Sequence, residues 1–499
     1  MKLSRRSLLA SPLLLAAARP RDTLIFGMSS YPTSLDPWLN AGANGAGLKL
    51  LIYRALLSYD TDGQLRGELA ESWAQDGDNV WVFKLRDAVF HNGAKVTSAD
   101  VKWTIEQVAA DKSTGYLRAE CRSIARVETP DDKTVRIVTS QPTVTIPVWM
   151  ASTYLPIIAR GSTDNGGQPV GAGPFVLTAQ ERGVSLDMVA FDKFYRPGQP
   201  VLKAIKLVNY GDENLRVAAL HSGDVDLIEY VPWQAMQGIE DDPNLRLDGT
   251  VGSFMYLTFN GKSGPFRDAR VRRAVALAIK RDEIVKAVFF GRGSPMEGLP
   301  IQQNSPFYNE KLAHGWSYDP ARARALLAEA GYPNGFSSPL LATAQYSMMQ
   351  GTAEFVQRDL AAIGITVSLD LPEMSVHVVR GNRGQFEFSV AGTALDNNDP
   401  DSLGSLIDGS LPASFQRSYG IPIPEITTLL DQGRHELDLA ARKATYDKLQ
   451  QVAIEEASFV GICWRSQGYA MTKALKGFKN LPGALTFYSN LTLDGASLS

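Results

Sequence analysis

Residues 53–103 read YRALLSYDTDGQLRGELAESWAQDGDNVWVFKLRDAVFHNGAKVTSADVKW. Within them Val80, Val82 and Leu85 enclose Trp81 and Phe83, the β-branched and aromatic content of a strand. The polar triplet His91-Asn92-Gly93 breaks the apolar run and marks a turn. Beyond it Thr97 or Ser98 is placed to cap a helix opening at Ala99-Asp100, where Val101, Thr104, Ile105 and Val108 recur at helical spacing. The expected local order is strand, turn, strand, capped helix.

The series Leu69-Ala70-Glu71-Ser72-Trp73, Phe83-Lys84-Leu85-Arg86, Val89-Phe90-His91-Asn92-Gly93 and Ala99-Asp100-Val101 closely resembles the signature region of the family 5 extracellular solute-binding proteins. These are the dipeptide- and oligopeptide-binding subunits of bacterial ABC importers. Further elements extend the resemblance: Ser34-Leu35-Asp36-Pro37, Gly171-Ala172-Gly173-Pro174-Phe175, Asp224-Val225-Asp226 and the run from Tyr318-Asp319-Pro320 to Gly335. The resemblance implies an α/β, two-lobed periplasmic-binding-protein-like fold of the large peptide-binder type, with an additional third domain. Lobe I is expected from 19–52, 168–258 and 470–499, an accessory domain from 53–167, and lobe III from 259–469.

Composition agrees with several globular domains. At 499 residues the chain exceeds one ordinary core, and 44% hydrophobic with 21% charged residues is typical of soluble proteins. A formal charge of -3 provides no basic excess, which argues against a nucleic-acid partner. At the amino terminus Ser4-Arg5-Arg6-Ser7 precedes an apolar run over 8–15 and Ala16-Ala17-Ala18, the arrangement of a twin-arginine signal peptide over 1–18. That run is shorter than the ~20 residues of a membrane span, and no Cys follows it for a lipid anchor. A free periplasmic monomer is expected. Cys121 and Cys463 are expected as buried free thiols, with a disulfide between them left open.

The glycine-rich run 42–47 lacks the order of a phosphate-binding loop and reads as a cleft-lining loop or a flexible connection before a helix over 48–57. Strands are expected at 255–260 and 459–464. Val271, Ala274, Val275, Ala278 and Ile279 form the apolar stripe of a helix whose arginines read as a solvated face. Asp319 and Pro320 open a further helix that Gly331 stops. Residues 434–456 read as one long amphipathic helix.

No reactive centre is legible. The five histidines are scattered, His435-Glu436 has Leu439 where a zinc protease needs a second histidine, and neither a Gly-x-Ser-x-Gly elbow nor a Cys-x-x-Cys occurs. The expectation is a binding protein with no catalytic residue, metal or cofactor. In the dipeptide-binding relatives a GWxxD sequence sets an aspartate against the ligand's α-ammonium, and the resemblance puts Asp396 there, with Asn397 beside it and Thr393 in place of the tryptophan. An Asx turn by Asp396 or Asn397 is the alternative. The aromatic residues Tyr31, Trp38, Trp233, Tyr419 and Trp464 either line the cleft or pack in the core. The implied function is capture of a short peptide or amino-acid-derived solute by lobe closure and delivery to inner-membrane permease subunits. An opine, an oligosaccharide, a metal chelate, or a periplasmic hydrolase on the same frame are the alternatives.

Overall fold

The computed structural model describes residues 22–40 and 42–499, so the signal-peptide reading lies outside the described residues. The signature stretch folds as its residue types require. Strand Val80–Leu85 pairs with Ala70–Gln75 on one side and Thr134–Thr139 on the other, and Ile124–Asp131 completes a four-stranded antiparallel sheet. Phe83 and Leu85 face a core that helix Ser98–Ala109 closes with Val101, Ile105 and Val108. Burying each such side chain stabilises the fold by about 1.5–3 kcal/mol. Thr97 caps the helix: its N–H and hydroxyl both donate to Asp100 Oδ2, at 2.9 and 2.6 Å.

An eleven-stranded sheet carries the rest. Its order is Ile365–Asp370, Phe336–Leu341, Phe388–Thr393, Leu245–Phe259, Val460–Thr472, Leu227–Ile228, Thr23–Met28, Ala204–Asn209, Ser185–Ala190 and Phe175–Glu181, with Gly293–Pro295 also on Val460–Thr472. The strands expected at 255–260 and 459–464 are parts of two much longer ones, of 15 and 13 residues. At ~3.3 Å per residue these reach roughly 40–50 Å. They belong to both lobes. Leu247 faces Ala470, which also pairs with Ile228 of the first half-sheet, whereas Phe254 faces both Trp464 and Thr393 of the second. A bulge between Val251 and Ser253 separates the two halves. There a Cβ on Gly252 would lie 2.1 Å from the Gly483 carbonyl, so only glycine fits.

Three sequence expectations change. Gly42–Ile52 is one helix, so the run 42–47 forms its first turns rather than a loop. Asn40 Oδ1 accepts the Gly42 N–H at 2.9 Å, and segment Gly483–Gly495 packs so closely that a Cβ on Gly47 would sit 2.9 Å from Asn490 Nδ2. The expected helix over 434–456 is two, Pro424–His435 and Leu439–Glu456, because Asp438 caps a new start by accepting the Ala441 N–H at 2.8 Å. On helix Ala269–Ala278 Arg272 is buried, not solvated: it donates to the carbonyls of Glu456, at the end of helix Leu439–Glu456, and of Phe266. Cys121 and Cys463 are both buried free thiols.

The parallel strands of each half-sheet end toward the other half. Thr23–Met28, Ala204–Asn209 and Leu227–Ile228 run parallel and lead to Ser29, Tyr210 and Tyr230. Phe336–Leu341 and Phe388–Thr393 run parallel and lead to Thr343 and Asp396. The crevice beyond carboxyl strand ends is where open α/β sheets bind ligands.

Candidate functional site

The lobes meet across this crevice. Tyr346 of the second half-sheet packs its ring 6.1 Å from that of Tyr230, and Ser347 Oγ donates to Glu213 Oε2 at 2.8 Å. Beyond strand Thr134–Thr139 of the four-stranded sheet, the Val144 N–H donates to the Arg434 carbonyl at 3.0 Å and His435 Nδ1–H to the Pro142 carbonyl at 2.5 Å. These contacts join the two sides of the crevice.

Asp396 follows strand Phe388–Thr393 at its carboxyl end and reaches across to the segment after helix Ser98–Ala109, where the Tyr116 hydroxyl donates to Oδ2 at 2.7 Å. Tyr116 is held there by its main chain, since its N–H donates to the Trp38 carbonyl at 2.8 Å. The Tyr154 ring lies 4.6 Å from that of Tyr116, and Tyr59 and Tyr488 form an edge-to-face pair at 5.6 Å. Burial, and then the Asp396 charge, hold the Tyr116 and Tyr154 phenols well above their ordinary range, so both remain donors. Burial also pushes the Asp396 carboxyl up, against the pull of the Tyr116 bond. Among the described residues no cation pairs with Asp396. A carboxylate held among phenols without a countercharge is arranged to receive a cation or to share its hydrogen bonds with a polar ligand.

The other residues singled out from sequence have varied surroundings. Asn397 Oδ1 accepts the Asp399 N–H at 2.9 Å, so it makes the Asx turn. Asp399 is gripped by Arg442 through two bonds of 2.7 and 2.9 Å. Thr393 Oγ1 accepts from Gln416 Nε2 at 3.2 Å. Trp38 donates to the Pro156 carbonyl at 3.3 Å and tilts against Trp103. The buried Tyr31 hydroxyl has no partner among the described residues. Trp464 sits edge-on to Phe254 beside Thr393, and Trp233 packs edge-on to Phe289. Tyr419 lies at the opposite end of strand Leu245–Phe259, against Gly384, where its N–H donates to the Phe259 carbonyl. Among the described residues no group of histidine, cysteine and acidic side chains could hold a metal ion.

Sequence reasoning missed the tyrosines around Asp396. They come from four separate segments, and no local pattern at Tyr59, Tyr116, Tyr154 or Tyr488 announces that they converge. It also missed Tyr230, whose φ of 47° is an uncommon backbone state for a bulky residue. Arg216 holds that turn by donating to the carbonyls of Glu229, Tyr230 and Tyr210 at 3.1, 2.9 and 2.7 Å.

Residues 64–414 match the sequence profile of the bacterial extracellular solute-binding proteins, family 5. The chain belongs to this family. Its similarities run end to end. The periplasmic binding protein AgaA of A. tumefaciens R10, in complex with agropinic acid, is 40% identical, with a TM-score of 0.90 over 96% of this chain and 99% of that one. The glutathione-binding protein GsiB of Pectobacterium atrosepticum is 28% identical over 98% of this chain and 96% of its own length. The DppA protein of Helicobacter pylori with bound peptide STSA shares the fold, at 23% identity and a TM-score of 0.85 over 95% of this chain and 98% of its own. The relatives of this family 5 protein are solute-binding proteins of ABC importers rather than enzymes, and the family delivers small solutes to ABC permeases. No helix among the described residues is long and apolar enough to cross a membrane.

Proposed function

We propose that this family 5 protein captures an amino-acid-derived acid carrying an amine, of the opine type, and releases it to an inner-membrane permease. The observation that carries the reading is the Asp396 carboxylate, set among tyrosines with only a neutral phenol bonded to it. A ligand ammonium is the countercharge that geometry suits. The 40% identity to a protein that holds agropinic acid supports the opine class. So does Thr393, which leaves out the aromatic wall that the peptide binders set beside the ammonium. Agropinic acid itself is a lactam whose nitrogen carries no charge, so it tests the class, while mannopinic acid, an amine, tests the ammonium at Asp396. A short peptide is the second reading, favoured by the 28% identical glutathione-binding relative.

The test is a thermal-shift screen of the mature protein, stripped of ligand by unfolding and refolding, against agropinic acid, mannopinic acid, glutathione, dipeptides and oligosaccharides. A ligand at a hundred times its Kd adds about 2.7 kcal/mol to stability, an easily read shift. A response to agropinic or mannopinic acid supports the opine reading, whereas a response confined to peptides selects the second. A response confined to sugars overturns both.

The same reading includes a periplasmic monomer exported by the twin-arginine signal, maturing near Arg19, with lobe I at 19–52, 168–258 and 470–499, the accessory domain at 53–167 and lobe III at 259–469. Amino-terminal sequencing of protein from the periplasm checks the export step, and recovery of intact Met1 there would refute it.

A further inference from the structure

Seven arginines are buried among the described residues, and how each is neutralised sets one apart. Arg54 pairs with Glu68 and Asp494, and Arg442 with Asp399. Arg216, Arg272, Arg281 and Arg417 each donate to two or more main-chain carbonyls. Arg465 differs. It is 0% exposed, yet its one hydrogen bond to a carbonyl-type acceptor runs from Nη1 to Gln467 Oε1 at 2.5 Å. The Tyr230 hydroxyl lies against it and the Trp233 ring centroid is 5.5 Å from its Cζ, both neutral neighbours. Its Nε and Nη2 make no well-formed hydrogen bond to a carbonyl or carboxylate among the described residues, the neutral Tyr230 hydroxyl being the further oxygen that bonds the guanidinium.

Those two nitrogens share one edge of the guanidinium, the edge that grips a carboxylate through parallel bonds. Elsewhere in this protein Arg270 shows the geometry, with Nε 3.0 Å from Asp268 Oδ1 and Nη2 2.5 Å from Oδ2. Directly across from Arg465 on the neighbouring strand is Ser253, also 0% exposed, whose hydroxyl likewise has no partner. The pair stands at the bulge where the strands shared by the two lobes pass from one half-sheet to the other.

We propose that Arg465, assisted by Ser253, is the anion anchor of the solute site and holds a carboxylate of the captured molecule at the hinge. The proposal rests on the reading that the solute is an acid. A guanidinium sealed from water without a counter-anion is strongly disfavoured, so closing the lobes over a bare Arg465 is costly and closing them over a bound carboxylate is not. Tyr230 from lobe I covers the guanidinium and meets Tyr346 from the opposite lobe, so the anion enters while these two rings are apart. Arg465 thereby makes the closed form conditional on ligand. With Asp396 at the other end, the cleft offers an acid and a base to one solute.

The experiment compares the stripped mature protein with R465M, R465K and the structural control R272M. Agropinic acid is titrated calorimetrically, and each ligand-free protein is melted. In R465M affinity falls about 100-fold or more, as expected for truncating one side of a buried charge pair. R465K retains part of it, because an ammonium keeps the charge and loses the two-nitrogen edge. Ligand-free R465M melts at or above the parent temperature, while R272M melts several degrees lower. Parent-like affinity in R465M, or a melting loss matching that of R272M, overturns the proposal. Should agropinic acid and the other acids fail to bind the parent, the solute reading has failed. The ligand-free melting temperature of R465M still decides on Arg465, since an unchanged or raised value supports an uncompensated cation and a lowered one overturns it.

Discussion

Replacing Asp396 by alanine separates ligand recognition from folding. In the folded protein its carboxylate receives one bond from a neutral phenol, and burial already disfavours its charge. Truncation therefore removes one ordinary hydrogen bond, about 1 kcal/mol, and at the same time relieves a desolvated charge of similar size. The ligand-free melting temperature should shift little. With an amine-bearing solute bound the balance differs, because Asp396 is then the countercharge of a desolvated ammonium. Losing that partner costs about 2–5 kcal/mol, which raises Kd roughly 30- to 5000-fold. The assay is calorimetric titration of parent and variant with the amine-bearing solute that gives the largest thermal shift, across a pH series that starts in the ordinary carboxylate range and runs upward. Asp396 is held above the ordinary carboxylate range, so the folded protein keeps its proton to a higher pH than the unfolded chain does, and its contribution to stability declines as pH rises through the folded value. An ammonium binds the deprotonated form, so parent affinity rises as pH rises through the folded value and the D396A profile is flat. Equal Kd in parent and variant, or the same pH slope in both, refutes the assignment.

Three further predictions concern the frame. Asp100→Ala removes the acceptor of both Thr97 capping bonds and should cost about 0.5–2 kcal/mol, read as a lower urea midpoint with an unchanged slope; no change would show that the cap is redundant. Glu68→Gln strips the charge from a 0% exposed carboxylate that pairs with Arg54 at 3.2 Å and Arg196 at 2.5 Å, and should cost about 3–5 kcal/mol in chemical melts while solute affinity is kept. A melt equal to the parent's would contradict the pairing. Gly252→Ala drives a methyl into the Gly483 backbone at the hinge and should destabilise by about 1–3 kcal/mol; a melting temperature equal to the parent's would show that the contact yields freely.

What the sequence determined by itself is local or patterned. The strand, turn and capped helix of residues 80–109, the caps at Thr97 and Asp319, and the order of family signatures were legible because each rests on residues within a few positions of one another. Asp396 was reached through the family pattern, while its surroundings were not. The long strands Leu245–Phe259 and Val460–Thr472 were seen only in part, because their full pairing depends on partners from both lobes. The run 42–47 is helical although glycine disfavours a helix, and segment Gly483–Gly495, over four hundred residues away in the chain, packs against it at Gly47, a contact that no local pattern shows. The burial of Arg272 and the isolation of Arg465 share this origin. An arginine in a sequence is the same letter whether it faces water, a helix end or a sealed hinge, and its solvation is fixed only when distant segments close around it.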